Sequence, residues 1–330
     1  MRLPSGSLSE MRASYLADLN FVLLGCLSYE ERCLFVPTEL SSNHAGSVHL
    51  VEVRDPSDAF PDYSAEAKRK IDLNRHTLDS KGIGGTCVRM DLLSTEDQLL
   101  DVIKECKPSK GVNTIVVDIT SLPKRFFCLF VKRLVNSSNF ANVLVTYTEP
   151  GTNGYSTKHL SEDPMTCDCL PGFVGPLPPK GSTLVVSIGF ESLGVRSLLD
   201  SCRNKKRDLR TIMAFPCDER SMGRQWRTLM DVVSGRPEDV NLNNMAVIPA
   251  WDAERVYQIL ERWAGDADGM MLAPFGPKPH SLGIALFAMT SDSGLYYTQP
   301  KSYNPDYTRG HGNSWVYVVK WDGIPCFSRA

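Results

Sequence analysis

Short apolar runs alternate with longer amphipathic segments along most of the chain. In the first half the short runs are nearly continuous and rich in β-branched residues, which is typical of buried parallel strands. We predict these strands at Phe21–Leu24, Val48–Val53, Thr86–Met90, Thr114–Val117 and Asn142–Tyr147. Helical patterns lie between them, at about 29–40, 64–80, 95–106 and 123–136. This order predicts a mostly parallel sheet with helices on both faces.

A segment rich in proline and glycine, residues 161–181, interrupts the alternation and predicts a linker. The pattern then restarts with strands predicted at Thr183–Ile188, Thr211–Phe215, Met245–Ile248, Gly269–Ala273 and Leu295–Thr298. Helices are predicted at about 192–203, 221–234, 252–263 and 278–290. A last apolar run, Trp315–Val319, predicts an edge strand. We therefore expect a first repeat at 1–160 and a second at 182–330.

Four short motifs recur in the same order in the two halves. They are Gly25-x-x-Ser28-x-x-x-Arg32 with Gly189-x-x-Ser192-x-x-x-Arg196, Pro123-Lys124 with Pro277-Lys278, Tyr147-Thr148-Glu149-Pro150 with Tyr297-Thr298-Gln299-Pro300, and Tyr155-Ser156-x-x-His159 with Tyr307-Thr308-x-x-His311. The first pair keeps a constant offset of 164 residues (189 − 25, 192 − 28 and 196 − 32). We interpret the recurrence as an internal duplication that gives two tandem Rossmann-like α/β repeats, related by a pseudo-two-fold axis.

The first motif follows the first strand of each repeat, where open α/β sheets bind their ligands. Glycine allows a tight turn, serine caps the next helix, and arginine lies in its first turn. An arginine fork beside free helix amides is a receptor for phosphate or carboxylate. The alternative is structural: Ser28 and Glu31 satisfy a capping box, and Arg32 pairs on the surface with Glu30 or Glu31.

The second motif places Lys124 and Lys278 in the first turn of the fourth helix of each repeat. A cation there opposes the helix macrodipole by a few tenths of a kcal/mol unless it shares an anion. Asp118, Thr120 and Ser121 precede Lys124, and Gly276 precedes Lys278. The unfavourable position of each lysine therefore indicates that an anion binds near the start of the helix.

This second motif resembles the CRISPR-associated Rossmann-fold (CARF) sensor family, whose fourth strand ends in Asp-x-Thr-x-Gly-x-Lys. Asp118, Thr120 and Lys124 match the pattern, whereas Ser121-Leu122 stands where the family has glycine. In the second half Gly276 and Lys278 match, but the acid and the threonine are missing. The resemblance implies a cyclic oligonucleotide or similar nucleotide bound between the repeats, as in the fused SAVED sensors of antiphage systems. It also implies a separate effector protein and a role in prokaryotic antiviral defence.

Two alternatives remain open beside a nucleotide sensor. One is a metal-independent enzyme that cleaves phosphoesters, similar to a ring nuclease, in which Arg32, Lys124 or Arg196 stabilises charge and His159 or His311 moves protons. The other is a structural subunit of a defence complex, which predicts a large exposed apolar patch. Tyr147 and Tyr297 are candidates for stacking on bases, although strand-end tyrosines are more often part of the core.

Composition narrows the classes of partner. The 330 residues carry a formal net charge of −2, so no global basic field exists to bind a long nucleic acid. Most of the ten cysteines are scattered singly, which is typical of a reduced, cytoplasmic protein and predicts no zinc site. We expect no signal peptide, no membrane span and no cofactor.

Overall fold

The chain divides into two compact units, Met1–His159 together with Lys301–Ala330, and Leu160–Pro300. The computed structural model describes residues 3–17, 20–41, 47–54, 60–108, 110–152, 154–156, 159–165, 167–175, 182–190, 194–195, 198–199, 208–215, 219–234, 242–265, 269–291 and 293–327. Most of the helix predicted at 192–203 lies outside these residues.

The amino-terminal part of the first unit alternates strands and helices as predicted. Its elements are β1 (Ser5–Ser7), α1 (Leu8–Met11), β2 (Phe21–Leu27), α2 (Phe35–Ser41), β3 (Val48–Arg54), α3 (Pro61–Ser80), β4 (Thr86–Asp91), α4 (Glu96–Glu105), β5 (Thr114–Asp118), α5 (Lys124–Asn136) and β6 (Asn142–Thr148). A π-helical turn, Arg12–Leu16, follows α1, and a 3-10 turn, Glu31–Leu34, precedes α2. Every residue of β2, β5 and β6 is buried, which explains their continuous apolar runs.

The second unit repeats this alternation. Its elements are β7 (Ser161–Pro164), β8 (Asp168–Cys169), β9 (Thr183–Ser187), β10 (Asp208–Ala214), α6 (Glu219–Ser234), a 3-10 turn (Leu242–Asn244), β11 (Met245–Ile248), α7 (Ala253–Ala264), β12 (Met270–Pro274), α8 (Lys278–Ser291) and β13 (Gly294–Tyr297). The chain continues through β14 (Pro300–Tyr303), β15 (Ser314–Trp321) and β16 (Ile324–Pro325).

The parallel strands follow one order in both units. In the first unit the order is β6-β5-β2-β3-β4, and in the second it is β13-β12-β9-β10-β11. Every neighbouring pair in these two series is parallel. This confirms the predicted α/β class with mostly parallel, Rossmann-like sheets. The shared order agrees with a duplication, but the duplication and its pseudo-two-fold axis stay predictions.

The last apolar run does not form the edge strand that the sequence predicted. It extends to β15, which lies between β1 and β6 in the first unit and is antiparallel to both. Val316, Tyr317, Val318 and Val319 are all fully buried, so the strand is covered on both faces. The predicted second repeat, 182–330, therefore differs from the observed division over residues 301–330.

The predicted linker also contributes to a sheet. Within 161–181, β8 pairs antiparallel with β13 and extends the sheet of the second unit. Leu170 and Phe173, just after β8, are buried. These apolar side chains anchor a segment whose proline and glycine content alone predicted a connection.

Truncation of a side chain in β15 tests its place in the first unit. Because Tyr317 is fully buried, we expect Tyr317→Ala to lower the free energy of unfolding by about 3–5 kcal/mol, as other large-to-small core changes do. Urea unfolding monitored by hydrogen exchange should show the lost protection in β5 and β6. Val174→Ala, at a position 83% exposed, is the control. Protection lost first in β9 and β12 would contradict this assignment.

Candidate functional site

The switch point of the first unit lies between β2 and β5, where the strand order reverses direction. Ligands of open α/β sheets bind at the carboxyl ends of such strands. A Cβ placed on Gly25 would lie 3.7 Å from Cβ of Asp118. The sequence-predicted residues 25 and 118 therefore meet at this point. Gly25 lies within β2, opposite Leu50, and not in a turn as predicted.

Arg32 forms a buried ion pair with Glu30 beside the end of β2. Its Nη2 lies 2.6 Å and its Nε 2.7 Å from Oε2 of Glu30, and both side chains are at least 96% buried, with exposures of 4% and 3%. Thr308 donates a further hydrogen bond of 2.9 Å to the same carboxylate oxygen. Ser28, also buried, accepts a hydrogen bond from the Glu30 amide. The predicted capping box with Glu31 is not what holds this turn.

The remaining guanidinium hydrogens of Arg32 are also engaged. Nη1 donates to the carbonyl of Thr148 at 2.9 Å and to the hydroxyl of Tyr147 at 3.4 Å, and Nη2 reaches the hydroxyl of Tyr307 at 3.5 Å. Burial by itself lowers the pKa of Arg32, but Glu30 and the tyrosine hydroxyls outweigh it and raise that pKa well above its ordinary value. With five donors occupied, this arginine has none left for a ligand phosphate. The prediction that Arg32 binds the ligand finds no support in this geometry.

Tyrosines surround the ion pair. The guanidinium of Arg32 lies 5.7 Å from the centre of the Tyr147 ring. Burial raises the pKa of Tyr147, Tyr155 and Tyr307, which keeps all three neutral. Because Tyr147 is only 5% exposed and packs on Arg32, its ring serves the core here and not the predicted stacking on a base.

The end of β5 is fixed by a network of buried hydroxyls. Oδ1 of Asp118 accepts hydrogen bonds from the Thr120 amide at 3.2 Å, the Thr120 hydroxyl at 2.5 Å and the Thr146 hydroxyl at 3.2 Å. The Thr120 hydroxyl in turn accepts from the Thr148 amide at 2.9 Å. Asp118 and Thr120 thus tie the start of the loop between β5 and α5 to β6. These bonds orient the rest of that loop.

That loop leads directly into the N-terminus of α5. Pro123 is the N-cap and supplies no side-chain hydrogen bond, so the first amides of α5 have no side-chain cap. The hydroxyl of Ser121 is buried and has no hydrogen-bond partner among the described residues. Lys124 begins the helix, and Arg125 follows with one Nη donating to the Ser94 carbonyl at 2.8 Å. Burial lowers the pKa of Arg125. The loop that contains Ser121 therefore enters a helix that has no side-chain cap and begins with two basic residues.

The second unit brings its counterparts together at the ends of β9 and β12. A Cβ on Gly189 would collide with the carbonyl oxygen of Phe275, and one on Gly276 with the hydroxyl of Ser187, so both positions need glycine for close approach. The Tyr297 ring packs 5.3 Å from the ring of Phe275. Lys278 begins α8. The predicted site residues Ser192 and Arg196 lie outside the described residues.

Sequence reasoning missed a buried histidine in this second unit. His280 is fully buried, with Nε2 2.9 Å from the carbonyl oxygen of Pro249 and Nδ1 3.4 Å from the Ser187 hydroxyl. Since a carbonyl only accepts, Nε2 carries a proton, and in the neutral ring Nδ1 accepts from Ser187. His280 stands two residues after Lys278, and that proximity was the available signal. The buried ring holds the switch-point loop and is closed to solvent.

The two predicted proton-transfer histidines have structural contacts. The His311 ring packs 4.6 Å from the ring of Phe35, and the carbonyl of His159 accepts a hydrogen bond from Asn304. Glu149 accepts a hydrogen bond of 3.1 Å from the Trp315 indole. Burial raises the pKa of Glu149. No cluster of metal-ligating side chains occurs in the described part of the chain.

Comparisons with known proteins leave the family open. No family model matches the chain, and no curated protein matches it. Among solved structures, it is similar to a universal stress protein from Pseudomonas aeruginosa UCBPP-PA14, at 12% identity and a TM-score of 0.25, covering 85% of this chain and 93% of that one. It is also similar to the cytoplasmic domain of a prokaryotic cation chloride cotransporter, at 9% identity and a TM-score of 0.26, covering 87% and 98%. Within the described residues, no helix is both long enough and apolar enough to span a membrane.

Removal of the carboxylate that faces Arg32 tests the buried pair. Glu30→Gln leaves the guanidinium charged and unpaired, so we expect a loss of about 3–5 kcal/mol in the free energy of unfolding. Glu31→Gln, at the exposed neighbouring residue, should change it by less than about 0.5 kcal/mol. Chemical denaturation of both variants measures the difference. Equal losses would show that Glu30 is not the essential partner.

The pH dependence of stability tests the environment of Glu149. Because burial raises its pKa above the ordinary 4.5, the folded state favours the protonated form. The contribution of Glu149 to the free energy of unfolding is fully present below the unfolded-state pKa of about 4.5, and it is lost as pH rises through the pKa of the folded state. Relative to the wild type, Glu149→Gln should therefore gain stability between pH 4 and pH 7 in urea unfolding. Glu105→Gln, at an exposed site on α4, should run parallel to the wild type. A Glu149→Gln curve with the same shape would exclude a raised pKa.

Proposed function

We propose that this protein is a nucleotide-binding sensor and that the first unit holds a phosphate of its ligand at the N-terminus of α5. The observation that carries the proposal is the buried Ser121 hydroxyl, which lacks a partner among the described residues. It lies three residues before Lys124, in the loop that enters a helix without a side-chain cap. Helix amides, a hydroxyl and an ammonium group together form a phosphate site.

The hydrogen-bond network behind the loop supports the same proposal. Asp118 and Thr120 are consumed by bonds to each other and to β6, so they position the loop and do not contact the ligand. A preformed loop binds with less loss of conformational entropy than a mobile one. A bound phosphate also accounts for the position of Lys124, a cation that would otherwise be unfavourable at the positive end of the helix dipole.

The ligand class and the biological setting rest on the resemblance to the CARF motif. The match of Asp118, Thr120 and Lys124 to that motif favours a cyclic oligonucleotide over a simple phosphate as the ligand. A sensor of this kind works through a separate effector protein in prokaryotic defence. The enzyme alternative has less support, because the charge-stabilising role it assigned to Arg32 needs donors that are already occupied.

A structural subunit is the second candidate. Met222, Trp226 and Met230 follow one another at four-residue spacing on α6, with exposures of 43%, 55% and 40%. Residues at this spacing share one face of a helix, and exposed apolar faces mark contacts with other proteins. A subunit with a vestigial pocket would gain no thermal stability from any nucleotide.

Thermal unfolding with a nucleotide panel separates the two candidates. A sensor should melt at a higher temperature with a cyclic oligonucleotide than without it. In Lys124→Gln the ligand should bind roughly tenfold more weakly, because one charge-assisted hydrogen bond is lost. Lys68→Gln, at an exposed site on α3, should retain the full shift. No shift in the wild type with any cyclic oligonucleotide or mononucleotide would refute the proposal.

A further inference from the structure

The second unit contains a cavity of about 530 Å³ between its edge strand β11 and the following helix, α7. The strand β11 forms one wall, and α7 forms the other with Arg255, Gln258, Ile259 and Arg262. Small-molecule sites fall in the range of roughly 300–1,000 Å³. The cavity is therefore large enough for a ligand of nucleotide size, and it lies beside the sheet, apart from the carboxyl strand ends where the switch-point residues meet.

The described lining is strongly basic. It includes Arg210, Arg255 and Arg262 and no carboxylate. Arg255 and Arg262 are exposed, and neither side chain forms an ion pair with a described residue. They lie two helical turns apart on the same side of α7, so both guanidinium groups can reach one ligand.

Arg210 is the buried member of this lining and is held in place on two sides. Its Nε donates to Oδ2 of Asp208 at 2.8 Å, and Oδ1 of Asp208 accepts from the Asn244 amide at 2.7 Å. Its guanidinium lies 5.6 Å from the centre of the Trp263 ring and donates through Nη1 to the Trp263 carbonyl. Arg210 as a whole is 9% exposed, and these contacts hold its guanidinium at the wall of the cavity.

We propose that this cavity binds an organic diphosphate, such as a nucleoside diphosphate. Arginine forks bind phosphate oxygens in pairs. Arg255 and Arg262 supply two positive charges for a diphosphate, and Arg210, which already pairs with Asp208, lies beside them in the lining. Gln258 and Asn243, which also line the cavity, supply amide groups for the organic part. The site goes beyond the proposed function, because it lies in the other unit and uses none of the residues around α5.

Isothermal titration with ADP, inorganic pyrophosphate, adenosine and citrate tests the ligand class. ADP and pyrophosphate should bind, and their affinity should fall as salt concentration rises. Adenosine, which lacks charge, should not bind. Citrate binding as tightly as pyrophosphate would show a generic anion site and overturn the assignment, as would the absence of binding by ADP and pyrophosphate.

Variants assign the binding to this cavity. Arg255→Gln and Arg262→Gln, both at exposed positions, should each weaken ADP binding about tenfold or more. Arg227→Gln, at an exposed position on α6, should leave it unchanged, and circular dichroism should show the same fold in all three. Lys124→Gln should also leave it unchanged. ADP binding that is lost in Lys124→Gln and kept in the two cavity variants would overturn this inference while supporting the phosphate site at α5.

Discussion

The buried pair of Glu30 and Arg32 is the constraint on which the first unit depends. Arg32 reaches the end of β6 through the Thr148 carbonyl, and Glu30 reaches the carboxyl-terminal segment through Thr308. Removing either charge would leave the other in an apolar interior, where an unpaired ion is far more costly than a missing contact. One ion pair therefore links the turn after β2, the end of β6 and the segment at Thr308.

The hydrogen-bonded turn after β2 has a structural role, and the proposed ligand site lies in the neighbouring loop between β5 and α5. The side chains at the end of β2 form internal bonds, whereas the loop after β5 contains the Ser121 hydroxyl, which has no hydrogen-bond partner among the described residues; this is where we propose that the ligand binds. The division is common in α/β sheets, in which a stiff scaffold presents a loop whose own side chains are few. Asp118 and Thr120 belong to the scaffold, because they bond to each other and to β6, although the sequence motif predicted that they bind the ligand.

Periodicity predicted the fold class well, because buried parallel strands produce unmistakable apolar runs. The approach of Gly25 to Asp118 was also predictable, since strand order determines which loops become neighbours. The state of Arg32 was not predictable, because its partners Tyr147, Thr148 and Tyr307 lie more than a hundred residues away in the chain. The strand β15 was assigned to the wrong half for the same reason: its apolar pattern specifies burial but not the sheet that supplies it. The cavity beside β11 escaped notice because Arg210, Arg255 and Arg262 form no local motif.

The pairing of β6 with β15 has a consequence for biosynthesis. Thr148 and Ser314 share a hydrogen bond across 166 positions of sequence, and the whole second unit is translated between them. At roughly 5–20 residues per second, the ribosome needs on the order of ten to thirty seconds to deliver the missing strand. During that interval the nascent sheet presents β6 as an open edge, a surface that invites association with other chains. Chaperones that shield such edges would then matter more for this protein than its modest size suggests.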